Sequence, residues 1–164
     1  MNNIEEIINE QDDETLIINV LEHIAQNHGN DMTTMPDVER NIVAVITAQA
    51  VIDNGGFRYF FETDFDGKPH YNIFVEAYDQ IGATESAGSI EQMLAHFPDK
   101  TPPEDHGKRR KYLDGVFKSP DASPELKIIE NMILGRVENY ASVARYIRAN
   151  RDAICREQEL ETII

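Results

Sequence analysis

One segment in the first third of the chain leaves few choices of fold. The run PDVERNIVAVITAQAVIDNGG, residues 36–56, is apolar on nearly every helical face between Ile42 and Ile52. Pro36 suits the opening of a helix, Asp37 and Glu39 suit a first turn, and Gly55-Gly56 stops the run. A helix with no polar face cannot lie against water, so other elements must surround it. This segment is therefore read as the central, buried helix.

The rest of the chain supplies amphipathic helices to cover it. Leu16, Val20, Leu21, Ile24 and Ala25 recur at helical spacing between Asp12 and about Asn27, with Asp12, Asp13 and Glu14 at the dipole-favoured start. FRYFFE, residues 57–62, is an aromatic cluster too short for a full helix, and TDFDGKPH after it has loop composition. Ile73, Phe74, Ala77, Tyr78 and Ile81 mark a helix ending at Gly82, and Ala87, Ile90, Met93, Leu94 and Phe97 mark another ending before Pro98.

Thr101 and Glu104 have capping-box spacing and predict a helix through KRRK to Phe117. Ser123-Pro124-Glu125 predicts a further start, continued by Leu126, Ile129, Met132, Ile133 and Val137. Tyr140, Val143, Ala144, Ile147 and Ile154 predict a last helix. No segment alternates with period two. The expectation is one all-α domain over residues 1–164, with about seven or eight helices and an acidic helix or helices within residues 4–28.

Charge is the second constraint. The chain of 164 residues has a formal net charge of -15. Residues 1–105 hold 21 acids and 4 bases (4 - 21 = -17), whereas residues 106–164 hold 9 acids and 11 bases (11 - 9 = +2). Such a surface repels nucleic acid and anionic membranes and draws in basic proteins. A hydrophobic content of 41% still provides a core. The single cysteine, Cys155, can form no intrachain disulfide, and the N-terminus has neither a basic region nor a long apolar run. No stretch approaches the ~18 apolar residues of a membrane span. A cytoplasmic protein is expected.

Three blocks resemble the DNA mimic protein 19 domain family: Ala50-Val51-Ile52-Asp53-Asn54-Gly55-Gly56-Phe57-Arg58-Tyr59-Phe60-Phe61, then Ala77-Tyr78-Asp79-Gln80-Ile81-Gly82-Ala83, then Ala95-His96-Phe97-Pro98. Tyr146-Ile147-Arg148-Ala149-Asn150 resembles its closing helix, so the likeness runs from about residue 38 to 154. The resemblance implies an all-helical fold, often dimeric, here a homodimer. For the founding DNA-mimic member it also implies an acidic surface that occupies the DNA-binding face of a transcription regulator.

A DNA mimic needs carboxylates held at phosphate-like separations. Duplex DNA offers one charge per ~1.7 Å of axis, and helix positions three or four apart advance ~4.5 to 6 Å. The candidates are Glu5, Glu6, Glu10, Asp12, Asp13 and Glu14 at the N-terminus, Asp31, Asp37 and Glu39 near the central helix, and Glu62, Asp64 and Asp66 in the loop. The competing reading is a solvated face with ordinary helix-start charges.

Other motifs carry elements of known chemistry. Asn54-Gly55-Gly56-Phe57 could cradle a phosphate, but without GK[ST] or GxGxxG context it reads as a helix end that turns Phe57, Tyr59, Phe60 and Phe61 into the core. Glu62-x-Asp64-x-Asp66-Gly67 has part of a calcium-loop spacing, with Ile73 where the bidentate Glu belongs and Pro69 interrupting. The five histidines, His23, His28, His70, His96 and His106, have no zinc spacing. Cys155, beside Arg151 and Arg156, reads as a packing or surface thiol. Lys108-Arg109-Arg110-Lys111 reads as pairing with acids of the same or a second subunit rather than binding nucleic acid.

The expectation is thus a non-enzymatic DNA mimic, with no metal and no cofactor, that blocks a basic DNA-binding protein such as a transcription factor. The alternative is a helical adaptor or immunity-like protein that neutralises a basic partner without mimicry.

Overall fold

A computed structural model describes residues 4–118 and 124–155. The described helices are α1 (Ile4–Ile8), α2 (Asp13–His28), α3 (Asp37–Glu62), α4 (Asn72–Gln80), α5 (Thr84–Leu94), α6 (His106–Val116), α7 (Pro124–Asn131) and α8 (Val137–Ala149). A single 3₁₀ turn, Pro98–Lys100, lies between α5 and α6, and residues 151–155 are again helical. No strand occurs among the described residues. The all-α expectation holds, with eight α-helices and one 3₁₀ turn assigned among the described residues against about seven or eight helices expected.

The apolar run forms the interior of α3, as its pattern requires. Ile42, Ala44, Val45, Ala48 and Ile52 are fully buried, and one apolar cluster continues from Ile4 to Ile154. Helices α4, α6 and α8 pack on α3, α5 packs on α4 and α7, and α2, joined by α1, closes the N-terminal side against α8. Among the described residues, no helix is long and apolar enough to cross a membrane.

The structure corrects the sequence reading at four places. FRYFFE is helical: Gly56 takes φ 67° and ψ -168°, breaking α3, and helix resumes to Glu62. A six-residue piece is too short to persist alone, but Phe57, Phe60 and Phe61 are all fully buried and interlock with Tyr71, Phe74 and Phe97. Tertiary packing holds what local propensity does not.

Helix α6 begins four residues later than the capping box predicts. Its cap is Asp105, whose Oδ1 accepts the Lys108 N–H at 2.8 Å, and Thr101 is extended. Residues that precede proline are pushed out of helical backbone, and both Thr101 and Pro102 do so.

Val137 does not continue α7. It starts α8 after a turn in which Gly135 has φ 65°, and it is 74% exposed. Met132, also assigned to the apolar face, is exposed as well. The cap expected of Ser123 lies outside the described residues.

Candidate functional site

The N-terminal acids meet at one corner of the fold, where α1 turns into α2. Glu10 Oε1 accepts the N–H groups of Gln11 and Asp12, at 2.7 and 3.0 Å. Asp12 caps α2, its Oδ2 accepting the Thr15 N–H at 2.8 Å, and that bond holds its carboxyl below the ordinary 3.8. Beneath the corner lies a cation from the far end of the chain. Arg148 donates to Asp13 Oδ1 at 2.7 Å and to the carbonyls of Glu10 and Gln11 at 3.0 and 3.3 Å. Glu5, Glu6 and Glu14 are exposed on the outer side.

Asp31, Asp64 and Asp66 sit on two adjoining loops. A Cβ on Gly67 (φ 73°) would lie 1.9 Å from Asp31 Oδ1, so glycine alone permits this contact. Asp31 also folds its own loop by accepting the Thr33 N–H at 2.9 Å. Asp64 accepts from the Arg109 guanidinium, which holds the Asp64 carboxyl below its usual value. Asp66 is exposed.

Arg109, from the KRRK run, is only 3% exposed and also donates to the carbonyls of Phe61, Pro103 and Glu104. One residue of that run thus pairs within its own chain, as expected. Glu62 accepts from Arg58 at 3.0 Å, and Arg58 also reaches Asp114. Glu62 and Asp64 therefore each face a different arginine and do not converge as a calcium loop requires. Among the described residues, no group of three or more His, Cys, Asp or Glu side chains is arranged to hold a metal ion.

The acids at the start of α3 divide. Asp37 is exposed and meets Arg40 at 2.8 Å. Glu39 is 2% exposed, with His28 Nε2 2.9 Å from its Oε2. Its helical position turns it inward toward the end of α2, so the reading of Glu39 as partner-facing is corrected to a buried contact with His28.

Asn54-Gly55-Gly56-Phe57 cradles an anion belonging to its own chain. The Phe57 N–H, released by the break at Gly56, donates to Glu130 Oε2 at 2.7 Å. A Cβ on Gly56 would stand 2.3 Å from that oxygen. The break at Gly56 ends one helical segment and docks α7 onto it. Asn54 Nδ2 donates to the Ala50 carbonyl at 2.7 Å, and Tyr59 is half exposed, not turned into the core as predicted.

Next to this dock lies a buried polar network that the sequence did not disclose. Fully buried Gln49 donates to the Ile133 carbonyl at 3.0 Å and to Asp53 Oδ1 at 2.8 Å, and accepts from Tyr78 Oη at 2.9 Å and Asn139 Nδ2 at 2.8 Å. Asp53 also accepts the Gly135 N–H at 2.7 Å. These bonds lock α4, α8 and the turn after α7 to α3. Burial drives the Tyr78 phenol well above 10.

Cys155 is half-buried, and burial pushes its thiol pKa up, with Glu5 adding to the rise. A raised pKa disfavours the reactive thiolate. Sequence reasoning also missed Glu22 and Asp79, both exposed. On α2, Glu14, Ile18 and Glu22 follow at intervals of four and share one outer face. That spacing was readable, although Glu22 stands alone in an apolar stretch.

A family profile described as DMP19-like protein matches residues 33–150. Comparisons with curated proteins and with solved structures give no significant match.

Proposed function

Because this chain belongs to the DMP19-like protein family, we propose that it is a non-enzymatic acidic regulator that occupies the DNA-binding face of a basic protein, such as a transcription factor, in place of DNA. One observation carries the reading. Three arginines of the last third are turned onto the chain's own acids, Arg109 on Asp64, Arg136 on Glu85 and Arg148 on Asp13, while Glu6, Glu14, Glu22, Asp66 and Asp79 stay exposed. In a chain of net charge -15, these carboxylates are presented outward on α1, α2 and α4 and on a loop braced by Asp31 and Arg109.

The physics favours this occupant. A protein surface evolved for DNA carries Lys and Arg at phosphate spacing, and carboxylates on helices recur at ~6 Å intervals that can meet them. Long-range attraction would speed the encounter at low ionic strength. The same field disfavours direct nucleic-acid binding by this chain.

The test is capture at low salt with the full chain as bait. A DNA-binding protein should be recovered, its affinity should fall steeply with added salt, and duplex DNA should displace it. Recovery of no DNA-binding protein, or capture insensitive to duplex DNA, would sink the mimic reading. The engagement of Asp13, Glu62 and Asp64 by internal arginines favours a second reading, an adaptor that neutralises a basic partner through a few specific contacts. DNA would compete weakly in that case, and reversal of one or two acids would abolish capture.

A further inference from the structure

We propose that the cleft between the loop of residues 63–71 and the segment of residues 101–104 is a binding site for a small carboxylate carrying one apolar ring. The cleft has a volume of about 150 Å³. That is below the ~300–1,000 Å³ of drug-sized ligand sites, which suits a ligand of single-ring size. Phe65, Pro69, Tyr71, Pro102 and Pro103 supply its apolar lining, and flat aromatic and proline faces receive a ring well. One cation ties the two sides together. Buried Arg109 bonds the carbonyls of Phe61, Pro103 and Glu104 and the carboxylate of Asp64. The lining is thus in place before a ligand arrives, which limits the ordering cost of binding.

The polar lining selects the ligand's charge. Thr63 and Thr101 spend their hydroxyls on the carbonyls of Tyr59 and Asp99, at 2.8 and 3.0 Å. The Tyr71 hydroxyl donates to the Phe61 carbonyl at 3.4 Å, and burial pushes its pKa up to about 12, so it stays neutral. With Arg109 engaged as well, the side-chain donors left over are the Lys68 ammonium and the His70 ring. His70 Nδ1 accepts the Asn72 N–H at 3.2 Å, which puts the proton of the neutral ring on Nε2.

Lys68 stands apart from the other cations of the acidic part. Residues 1–105 hold only Arg40, Arg58, Lys68 and Lys100 as bases. Arg40, Arg58 and Lys100 each meet a carboxylate, whereas Lys68 forms no ion pair among the described residues. A cation left unpaired among so many acids, at the edge of an apolar cleft, suits an incoming carboxylate. Lys68 is also held at φ 47°, a left-handed backbone that few residues other than glycine adopt. Of the two acids in the lining, Asp64 is already met by Arg109, and Glu104 is exposed to solvent.

The experiment is titration of the isotope-labelled full chain, followed through its amide NMR spectrum, with benzoate, benzyl alcohol, benzylamine and acetate. Benzoate should shift the amides of residues 63–71 and 101–104 saturably. It should bind about tenfold or more tighter than benzyl alcohol and benzylamine, which lack the negative charge, and than acetate, which lacks the ring. Lys68→Asn removes the charge while keeping a residue that tolerates left-handed backbone, and should weaken benzoate about tenfold. Lys100→Asn, at φ 54° and outside the cleft lining, should leave benzoate binding unchanged. No saturable shift in these two segments overturns the proposal, as does benzoate binding that survives Lys68→Asn. So does equal or tighter binding of benzylamine, benzyl alcohol or acetate, since the cleft would then select a cation, a neutral ring or any small anion.

Discussion

Glu130 accepts a hydrogen bond from the Phe57 N–H at 2.7 Å, joining α7 to α3 where Gly56 breaks the helix. The two residues are 73 positions apart, and the contact exists because Gly56 has neither a side chain nor a helical conformation.

Gly56→Ala should therefore be far costlier than an ordinary glycine replacement. Its φ and ψ fall in a region almost reserved for glycine, costing about 1–3 kcal/mol, and the new Cβ evicts the Glu130 carboxylate, which costs about 1–3 kcal/mol more. Gly82→Ala, at φ 83° with nothing within 4 Å of the new Cβ, should cost only about 1–2 kcal/mol of strain. Urea unfolding of the two variants gives the comparison, and equal midpoints would refute the dock.

Arg109→Ala should destabilise by about 2–4 kcal/mol, because it strips three carbonyls of a charged donor in a buried setting. Asp64→Asn removes only the 60%-exposed partner and should cost less than about 1 kcal/mol. Thermal unfolding of both variants measures the contrast. Equal losses would mean that the ion pair, not the carbonyl bonds, anchors Arg109.

Acid should weaken the fold through Asp12 and Asp64. Both carboxyls lie below their ordinary 3.8 in the folded chain, one through the Thr15 N–H and the other through Arg109. The unfolded chain thus takes up these protons first as pH falls. Their contribution is present above 3.8 and is lost as pH drops through the lower folded values. Urea midpoints measured across this range should fall, and fall less in a variant carrying Asp12→Asn and Asp64→Asn.

At the alkaline end the sign reverses. Burial pushes Tyr71 up to about 12 and raises Tyr78 and Tyr140 above 10. Their contribution is full below 10, where the unfolded phenols begin to ionise, and is lost as pH rises toward 12. Tyrosinate absorbance from Tyr71, Tyr78 and Tyr140 should emerge at higher pH in the folded chain than in the urea-unfolded chain. A single unshifted titration of all the tyrosines counts against the packing around Phe60 and Gln49.

Neutralising exposed acids should affect binding without affecting the fold. Glu14→Gln and Glu22→Gln together should slow association with a basic partner by roughly two- to fivefold at low salt, with no change in melting temperature. Glu39→Gln should do the reverse, since it disturbs the buried contact with His28 and leaves the outer face intact. Stopped-flow association and thermal melts separate the two effects.

Much of this was legible along the chain. Periodicity located α2, α3, α4 and α5, because each carries a local pattern of apolar residues that only a helix can bury together. The charge balance was likewise a matter of counting. What could not be read was which charges reach solvent. Asp13, Asp64 and Glu85 meet arginines of the last third, and Glu39 turns inward, through contacts made across the fold. The helical state of FRYFFE, the Glu130 dock and the Gln49 network have the same origin. Local sequence determines propensity and total charge, whereas the pairing of a carboxylate with a distant cation or a freed N–H depends on which helices pack together, and tertiary structure alone decides that.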